Sequence, residues 1–319
     1  MDLWGVQERQ AGVVSRRQVL AAGRSDNDIR RLVRRRDLSL VHDGVYVDHT
    51  GPLTWLQQAW AAVLLHEPAA LSHDSALRAV DGPGRRDRSA GGPVHVAVDR
   101  SRTVTRRSGI VVHQMAGFDS KALLHTAPPR IRVEEAALDV AAAAAGDLDA
   151  IAVLAGVVQA RRTTAPRMLE ALAGRARIGR RKLMVDVLGD VAAGTCSALE
   201  HSYLDRVERA HGLPSARRQV RDSLKGPVYR DVEYDDFGLV VELDGRLFHD
   251  SAETRDHDME RDLDTALGHR ATVRLGWGQA HVRSCVTAEK VGRLLQARGW
   301  RGTVHPCPRC AVVQVRRAG

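Results

Sequence analysis

The sequence predicts an α/β protein built from several domains, and three observations support this. The chain has 319 residues, which is more than one domain usually contains. Helical spacing of apolar residues alternates along the chain with short stretches of strand-like alternation. With 44% hydrophobic and 27% charged residues, the composition is that of a globular protein and not of a disordered or collagen-like chain.

The pattern of elements divides the chain into five segments. We expect a helical and hairpin domain at residues 1–50, a mixed α/β domain at 51–146, a helical bridge at 147–192, an α/β/α core with a mixed sheet at 193–302, and a tail at 303–319.

The chain is basic, and arginine supplies almost all of its positive charge. It contains 48 Lys and Arg, of which 44 are Arg, against 39 Asp and Glu, for a net charge of +9 and a pI of about 10.0. Genomic base composition can account for the preference for Arg over Lys, whereas the high pI is a physical property that favours polyanionic partners. We therefore expect nucleic acid, and DNA first, as the partner.

The start of the chain and its cysteines predict the compartment. The opening MDLWGVQERQ has neither the basic nor the apolar region of a signal peptide, and no stretch approaches the roughly 18 apolar residues of a membrane span. Four cysteines are too few for a disulfide scaffold. We expect a cytoplasmic protein with no membrane partner.

Two capped helices and a hairpin are predicted near the start of the chain. Ser15 with Gln18, and Ser25 with Asp28, have the three-residue spacing of a capping box. Residues 14–36 contain eight Arg against two Asp. The stretch LSLVHDGVYV then alternates around a DG turn, which is typical of a hairpin.

Two helices followed by a hairpin describe a winged helix-turn-helix, whose second helix would enter the major groove of DNA. The basic residues of that helix are the candidate DNA contacts: Arg30, Arg31, Arg34, Arg35 and Arg36. A small helical domain with a solvated basic face is the alternative.

The stretch GVVSRRQVLAAGRSDNDIRRLVRRRDLSLVHDGVYV resembles the N-terminal winged helix of AbiEi-type antitoxins from type IV toxin-antitoxin systems, and residues 52–145 resemble that family more loosely. The resemblance implies binding to the operator DNA of the protein's own operon and a cognate toxin as a partner. A palindromic operator would favour a homodimer, and the sequence leaves the oligomeric state open.

From Gly194 to Trp300 the predicted order is helix, strand, hairpin partner, strand, helix, strand and helix. This is the core arrangement of the PD-(D/E)xK nuclease fold. The stretch FGLVVELDG is nearly all apolar before its carboxylates, as expected of a buried central strand.

Acidic residues take ordered positions in this core. Glu242 and Asp244 are two apart on one strand and so point to the same face, Asp231 lies on the neighbouring strand, and Glu200 can approach from the preceding helix. Carboxylates this close repel each other, and a divalent cation that prefers oxygen relieves the repulsion. We expect Mg²⁺ or Mn²⁺ held by Asp231, Glu242 and Asp244, with hydrolysis of phosphodiester bonds as the reaction.

Four further residues of the core are candidates for direct roles. His249 could orient or deprotonate the attacking water, or protonate the leaving oxygen, and an ordinary partly buried histidine is the alternative. The candidate phosphate contacts are Arg255, Arg261 and Arg274. Ion pairing with acidic residues of the helix after the active strand is the alternative for these arginines. Those acidic residues are Asp256, Asp258, Asp262 and Asp264.

The stretch YRDVEYDDFGLVVELDGRLFHD, with SALEHSYL before it and ERDLD and TVRLGW after it, resembles the very-short-patch-repair-like endonucleases, a branch that includes an uncharacterised family common in actinobacteria. The resemblance implies an active site at Glu200, Asp231, Glu242, Asp244 and His249. Two departures stand out. Asp244 takes the place of the usual lysine, so activation of the water would depend on His249, and Arg230 takes the place of the usual proline.

The tail HPCPRC places Cys307 and Cys310 at zinc-knuckle spacing. A single C-x-x-C pair supplies only half of a zinc site. His305, or a distant Cys196 or Cys285, would have to complete it, so the sequence favours a tail without zinc.

Two functional hypotheses follow. The first is a metal-dependent endodeoxyribonuclease with a DNA-binding winged helix, and the second is a non-catalytic antitoxin or transcriptional autoregulator. Because several carboxylates facing a phosphate would weaken a groove that only binds DNA, the acidic cluster favours the enzyme. The sequence leaves open whether the substrate is DNA or RNA, and single- or double-stranded.

Overall fold

The structure, a computed structural model, describes residues 2–82, 92–193, 197–222, 228–243 and 271–310. Within these ranges, residues 193, 197–198, 218–222 and 228–231 are described by their backbone alone. The described residues form a mixed α/β fold with three β-sheets, in agreement with the predicted fold class. The chain divides into two compact units, Met1–Val140 and Ala141–Gly319.

The first unit begins with short elements around a small antiparallel sheet. They are α1 (Leu3–Arg9), β1 (Val13–Ser15), α2 (Arg16–Ala21), α3 (Asp26–Arg35), β2 (Ser39–His42) and β3 (Val45–Val47). The strand order is β1-β3-β2. The buried side chains between the helices and this sheet are Val6, Val14, Val19, Ile29 and Leu38.

Both predicted capping boxes are present. The Ser15 hydroxyl accepts from the Gln18 N–H and the Gln18 side chain accepts from the Ser15 N–H, and Ser25 and Asp28 repeat the arrangement. Arg16 adds a two-pronged ion pair to Asp26, with N–O distances of 2.7 and 2.6 Å, which holds the pKa of that carboxyl below its usual range. The starts of α2 and α3 are therefore tied to each other.

A second sheet completes the first unit. Its elements are α4 (Trp55–Leu65), β4 (Ala70–Leu71), α5 (His73–Asp81), β5 (Val94–Asp99), β6 (Ile110–Met115), α6 (Phe118–Lys121), β7 (Ala122–Leu123), β8 (Arg130–Ile131) and, as far as Val140, α7 (Val133–Ala143). The strand order is β6-β5-β4-β8-β7. Helix α4 is buried on two sides: Trp60 packs with Val13 and Val47 of the small sheet, and Val63 packs with Leu71 of the larger one.

The second unit carries helices and the third sheet. Its elements are α8 (Asp147–Gln159), α9 (Ala165–Ala173), α10 (Arg181–Ala193), α11 (Ser197–Tyr203), β9 (Arg217–Asp222), β10 (Val228–Tyr234), β11 (Leu239–Leu243), β12 (Ala271–Leu275) and α12 (Ser284–Ala297). The strand order is β12-β11-β10-β9. The β11–β12 pair is parallel and the other two pairs are antiparallel.

Some elements differ from the prediction. The sequence pattern predicts one helix from Cys196 to Arg209, and its described part is α-helical over Ser197–Tyr203 and π-helical over Leu204–Arg209. Helix α1 and strand β1 were not predicted, because they are short and lack a capping box or a turn signal in the sequence. The helix after the active strand is predicted from about Thr254 to Leu267, which lies outside the described residues. None of the helices in the described ranges is both long enough and apolar enough to cross a lipid bilayer.

Truncating the core beneath α3 should destabilise the first unit. Ile29 is 4% exposed, so Ile29→Ala should lower the opening free energy of α2 and α3 by about 2–5 kcal/mol through lost burial and a residual cavity. Leu40 is 60% exposed, and Leu40→Ala should change it by no more than about 0.5 kcal/mol. Native-state hydrogen exchange of peptides covering residues 13–35 measures both. Equal losses would contradict this core assignment.

Candidate functional site

The acidic site predicted in the third sheet is positioned by the register of β10 and β11. Val232 is opposite Val241 and Glu233 is opposite Val240, and opposite residues of paired strands share a face. Since faces alternate along a strand, Glu233 and Glu242 lie on one face. Val232 and Val241 lie on the other face and are fully buried.

Asp231 belongs to this register through its backbone. One residue further along the β10–β11 pairing, its position on β10 falls opposite Glu242 on β11. Its side chain is outside the described residues. Neither the backbone nor the side chain is described for four other predicted residues, which are Asp244, His249, Arg255 and Arg261. The roles of these residues stay predictions.

Glu242 is paired with Arg274. The two are partners in the parallel β11–β12 register, and Nε of Arg274 donates to Oε2 of Glu242 at 2.9 Å. The side chains are 18% and 29% exposed, so the pair is partly withdrawn from water. The guanidinium of Arg274, which was predicted as a phosphate contact, is therefore hydrogen-bonded to a carboxylate of the candidate site.

A buried polar network lies on the opposite face of the sheet. The hydroxyl of Tyr234 donates to Glu208 at 3.3 Å and lies 3.0 Å from the hydroxyl of Tyr203 on α11. Burial strongly raises the pKa of Tyr234, and Tyr203 and Glu208 add to the rise. This network fixes α11 against the sheet.

Glu200 lies on α11, three residues before Tyr203, and is partly exposed. Tyr203 of α11 is hydrogen-bonded to Tyr234 of the sheet. Tyr234 and Glu242 lie on opposite faces of the sheet, so this contact holds α11 on the face that does not carry Glu242. Among the described residues, no hydrogen bond or ion pair joins Glu200 to Glu242. A meeting of the two carboxylates at one end of the sheet stays a prediction.

Glu233 is an acidic residue that the sequence analysis did not select. It is 2% exposed and shares the face of Glu242, and Arg217 approaches it at 3.8 Å. Its position two residues after Asp231 on the same strand was the available signal, because a period of two puts both on one face. The described candidates on this face are therefore Glu233, Glu242 and Arg274.

The five predicted DNA contacts of α3 and its end are all exposed. Arg31 pairs with Asp28 at 2.9 Å and Arg35 with Asp37 at 3.7 Å, whereas Arg30 donates to the uncharged side chain of Asn27. Arg30 and Arg34 are four residues apart and so share one face of the helix. Neither guanidinium forms an ion pair with a described carboxylate, although the charge of Arg30 helps to lower the pKa of Asp26.

Three histidines that the sequence separates meet in the first unit. His73 begins α5, His95 lies on β5 and His113 on β6; Nδ1 of His95 is 2.9 Å from Nε2 of His113, and the rings of His73 and His113 stack with centroids 3.7 Å apart. Their nitrogens are close enough to share a metal ion. Stacked rings direct their nitrogens in parallel instead of toward one point, so the geometry favours a hydrogen-bonded stack.

The two cysteines of the tail also have neighbours. Cys307 and Cys310 lie with Cys285 and His211, and these four residues are called the Cys/His cluster below. His305, which the sequence offered as the nearest completing ligand, is exposed and is not part of the cluster. Cys196 is outside the described residues.

The comparison with known proteins gives no family for this chain. No protein-family model matches it, and no curated protein sequence matches it.

Protonation of the histidine stack should loosen the two strands that carry it. Burial lowers the pKa of His95 and of His113, and the nearby Asp74 and Asp139 oppose this only in part. Such groups contribute stability above the ordinary histidine pKa of about 6.5, which is lost as the pH falls toward the lower pKa of the folded state, because the unfolded chain takes up protons first.

We expect hydrogen-exchange protection of residues 94–99 and 110–115, corrected for the intrinsic rate, to fall between pH 7.5 and pH 5.5. His113→Gln should flatten this dependence, and the exposed His125→Gln should leave it unchanged. Protection that does not vary with pH in the wild-type chain would contradict the role of the stack.

Proposed function

We propose that this protein is a DNA-directed, metal-dependent endonuclease. The observation that carries the proposal is the position of Glu242, partly buried on a central strand, beside Arg274 and on the face that Glu233 and the register position of Asp231 share. Carboxylates gathered on one sheet face with an arginine among them suit a site that binds a divalent cation and a phosphate.

The first unit is proposed to contain a winged helix-turn-helix. The order of α1, β1, α2, α3, β2 and β3 and the antiparallel sheet β1-β3-β2 support this. In such a domain α3 would be the recognition helix and the β2–β3 hairpin the wing. The exposed face of Arg30 and Arg34 gives α3 the charge that phosphate contacts require.

The second unit is proposed to contain a PD-(D/E)xK core. Support comes from the described element order, which is α11, β9, β10, β11, β12 and α12, and from a mixed sheet whose parallel pair includes the acidic strand. Asp231, Glu242 and Asp244 would hold Mg²⁺ or Mn²⁺. When bound, the ion lowers the pKa of a water molecule and stabilises charge on the scissile phosphate.

The chain's own residues would supply the remaining parts. Arg274 balances the charge of Glu242 and holds that carboxylate in one orientation. His249 would orient or deprotonate the attacking water, and Arg255 and Arg261 would position phosphates. Glu200 would complete the acidic site from α11.

A second function is favoured by the same ion pair. Glu242 is already neutralised by Arg274 at 2.9 Å, and Asp244 stands where the usual lysine would be. A nuclease fold that has lost cleavage would leave a DNA-binding autoregulator or antitoxin, with a cognate toxin as its partner.

Neutralising Glu242 should separate cutting from binding. Glu242→Gln keeps the size of the side chain and removes the charge, so metal-dependent cleavage of supercoiled plasmid or single-stranded DNA should fall at least about 100-fold while gel-shift affinity for DNA is retained. Glu289→Gln, on an exposed carboxylate of α12 that pairs with Arg293, is the matched control and should cut normally.

The same assay in EDTA, Mg²⁺ and Mn²⁺ decides between the two functions. Cleavage by the wild-type chain that needs the metal and is lost in Glu242→Gln supports the endonuclease. If the wild-type chain shifts DNA and cuts it with neither metal, the endonuclease proposal fails for these substrates and the autoregulator replaces it.

The unpaired face of α3 should dominate DNA affinity. Arg30→Ala/Arg34→Ala should weaken binding and reduce the slope of log affinity against log salt by about 1 for each lost phosphate contact. Arg31→Ala/Arg35→Ala removes the same charge from the same helix, but these side chains are ion-paired and the loss should be smaller. Gel shifts at several salt concentrations measure both, and equal losses would contradict the assignment of the binding face.

A further inference from the structure

Four potential metal ligands meet in the second unit although they are far apart in the sequence. His211 follows the π-helical extension of α11, Cys285 lies in the first turn of α12, and Cys307 and Cys310 lie in the tail. Nε2 of the histidine and the three sulfurs all lie within 4.8 Å of one another. His211 and Cys307 are buried.

The distances within the Cys/His cluster are those of a tetrahedron of zinc ligands. Sγ of Cys307 is 3.6 Å from Sγ of Cys285 and 3.8 Å from Sγ of Cys310, whose own Sγ is 3.6 Å from Nε2 of His211. Around zinc, bonds of about 2.3 Å to sulfur and about 2.0 Å to nitrogen give edges of about 3.8 Å between sulfurs and about 3.6 Å between sulfur and nitrogen. A disulfide would need about 2.05 Å, so the three cysteines are thiols.

The histidine is oriented as a zinc ligand would be. Nδ1 of His211 is 3.2 Å from the backbone carbonyl of Val207, an arrangement in which Nδ1–H donates and Nε2 keeps its lone pair. Nε2 is the atom that faces Cys310. A ligating histidine commonly donates its other ring N–H to a backbone carbonyl, which fixes both tautomer and ring orientation.

Backbone hydrogen bonds hold the tail cysteines close to His211. The N–H of Cys310 donates to the carbonyl of Cys307 at 2.9 Å, and the N–H of His305 donates to the carbonyl of His211 at the same distance. The first bond closes the C-x-x-C turn, and the second holds the tail beside the histidine. The ligands from three segments are therefore preorganised by contacts other than the metal.

We propose that His211, Cys285, Cys307 and Cys310 form a structural zinc centre of the Cys₃His type. Four protein ligands fill a tetrahedral site and leave no position for a substrate, which is typical of structural and not of catalytic zinc. Binding of Zn²⁺ would release the three thiol protons to solvent and leave a net charge of −1 on the centre. The proposal is independent of the endonuclease function.

The centre would act as a cross-link. It would join the end of the π-helical segment, the start of α12 and the tail, and so reinforce contacts such as the hydrogen bond from the N–H of His305 to the carbonyl of His211. Glu208, which accepts from Tyr234 in the buried network, is three residues before His211. Loss of zinc should therefore destabilise the contact of α11 with the sheet.

The first test is the metal content of the purified full-length chain. We expect one zinc per chain, measured by plasma mass spectrometry after dialysis against metal-free buffer. His211→Gln and Cys310→Ser should fall to near zero. His305→Gln and Cys196→Ser, which the sequence allowed as ligands, are the controls and should keep one zinc.

Two further measurements keep the proposal testable if a ligand variant fails to fold. His211→Cys supplies a fourth thiolate in place of the imidazole and should restore one zinc per chain. The wild-type chain loaded with Co²⁺ instead of Zn²⁺ should show the visible bands of tetrahedral cobalt and a thiolate charge-transfer band. A zinc-free wild-type chain after zinc loading, an octahedral cobalt spectrum, or full zinc in Cys310→Ser would each overturn the proposal.

Discussion

The hydroxyl groups of Tyr203 and Tyr234, 3.0 Å apart in a buried position, join the helix and the sheet on which the second unit is built. Tyr234 gives its only hydroxyl proton to Glu208, so the proton between the two tyrosines comes from Tyr203. A buried polar group that loses its hydrogen-bond partner costs about 1–3 kcal/mol of stability. In this network each group is a hydrogen-bond partner of another, so the loss of one weakens the rest. Burial raises the pKa of Tyr234 above its ordinary value, which disfavours the charged phenolate inside the network.

This network includes a residue of the π-helical segment that continues α11 beyond Tyr203. The π-helical turn of Leu204–Arg209 carries Glu208, and π-helical turns are rare and occur preferentially at functional sites. The helix is thus fixed near its middle by Tyr203 and, through the proposed zinc centre, beyond its end by His211. A helix held at two points can present Glu200 in one position, and a reactive group has to be held to within about 0.5 Å.

The sequence predicts what local rules determine, and it misses what distant contacts determine. The apolar run from Trp55 to Leu65 predicts a helix, and α4 begins and ends at these residues, because an apolar run is a local signal. The pairing of His211 with Cys310 spans 99 residues, and no spacing rule reaches that far. Of the residues that the sequence offered to complete a site with Cys307 and Cys310, the structure places Cys285 beside them, whereas His211 was not among those offered. Arg274 likewise pairs with Glu242 on the neighbouring strand, whereas the sequence analysis considered ion pairs with acidic residues of a helix.

Glu242 and Arg274 show that one electrostatic requirement underlies both proposed functions. A partly buried carboxylate has to have a positive charge nearby, because its desolvation is otherwise uncompensated. In a protein that only binds DNA, Arg274 meets this requirement permanently, and Glu242 is a structural partner that keeps an arginine away from the phosphates. In a nuclease, a divalent cation would meet it when DNA is cut, and Arg274 would pair with the carboxylate at other times. Under the two proposals, cleavage and binding therefore differ in which positive charge faces Glu242: a divalent cation in the nuclease, and Arg274 in the protein that only binds DNA.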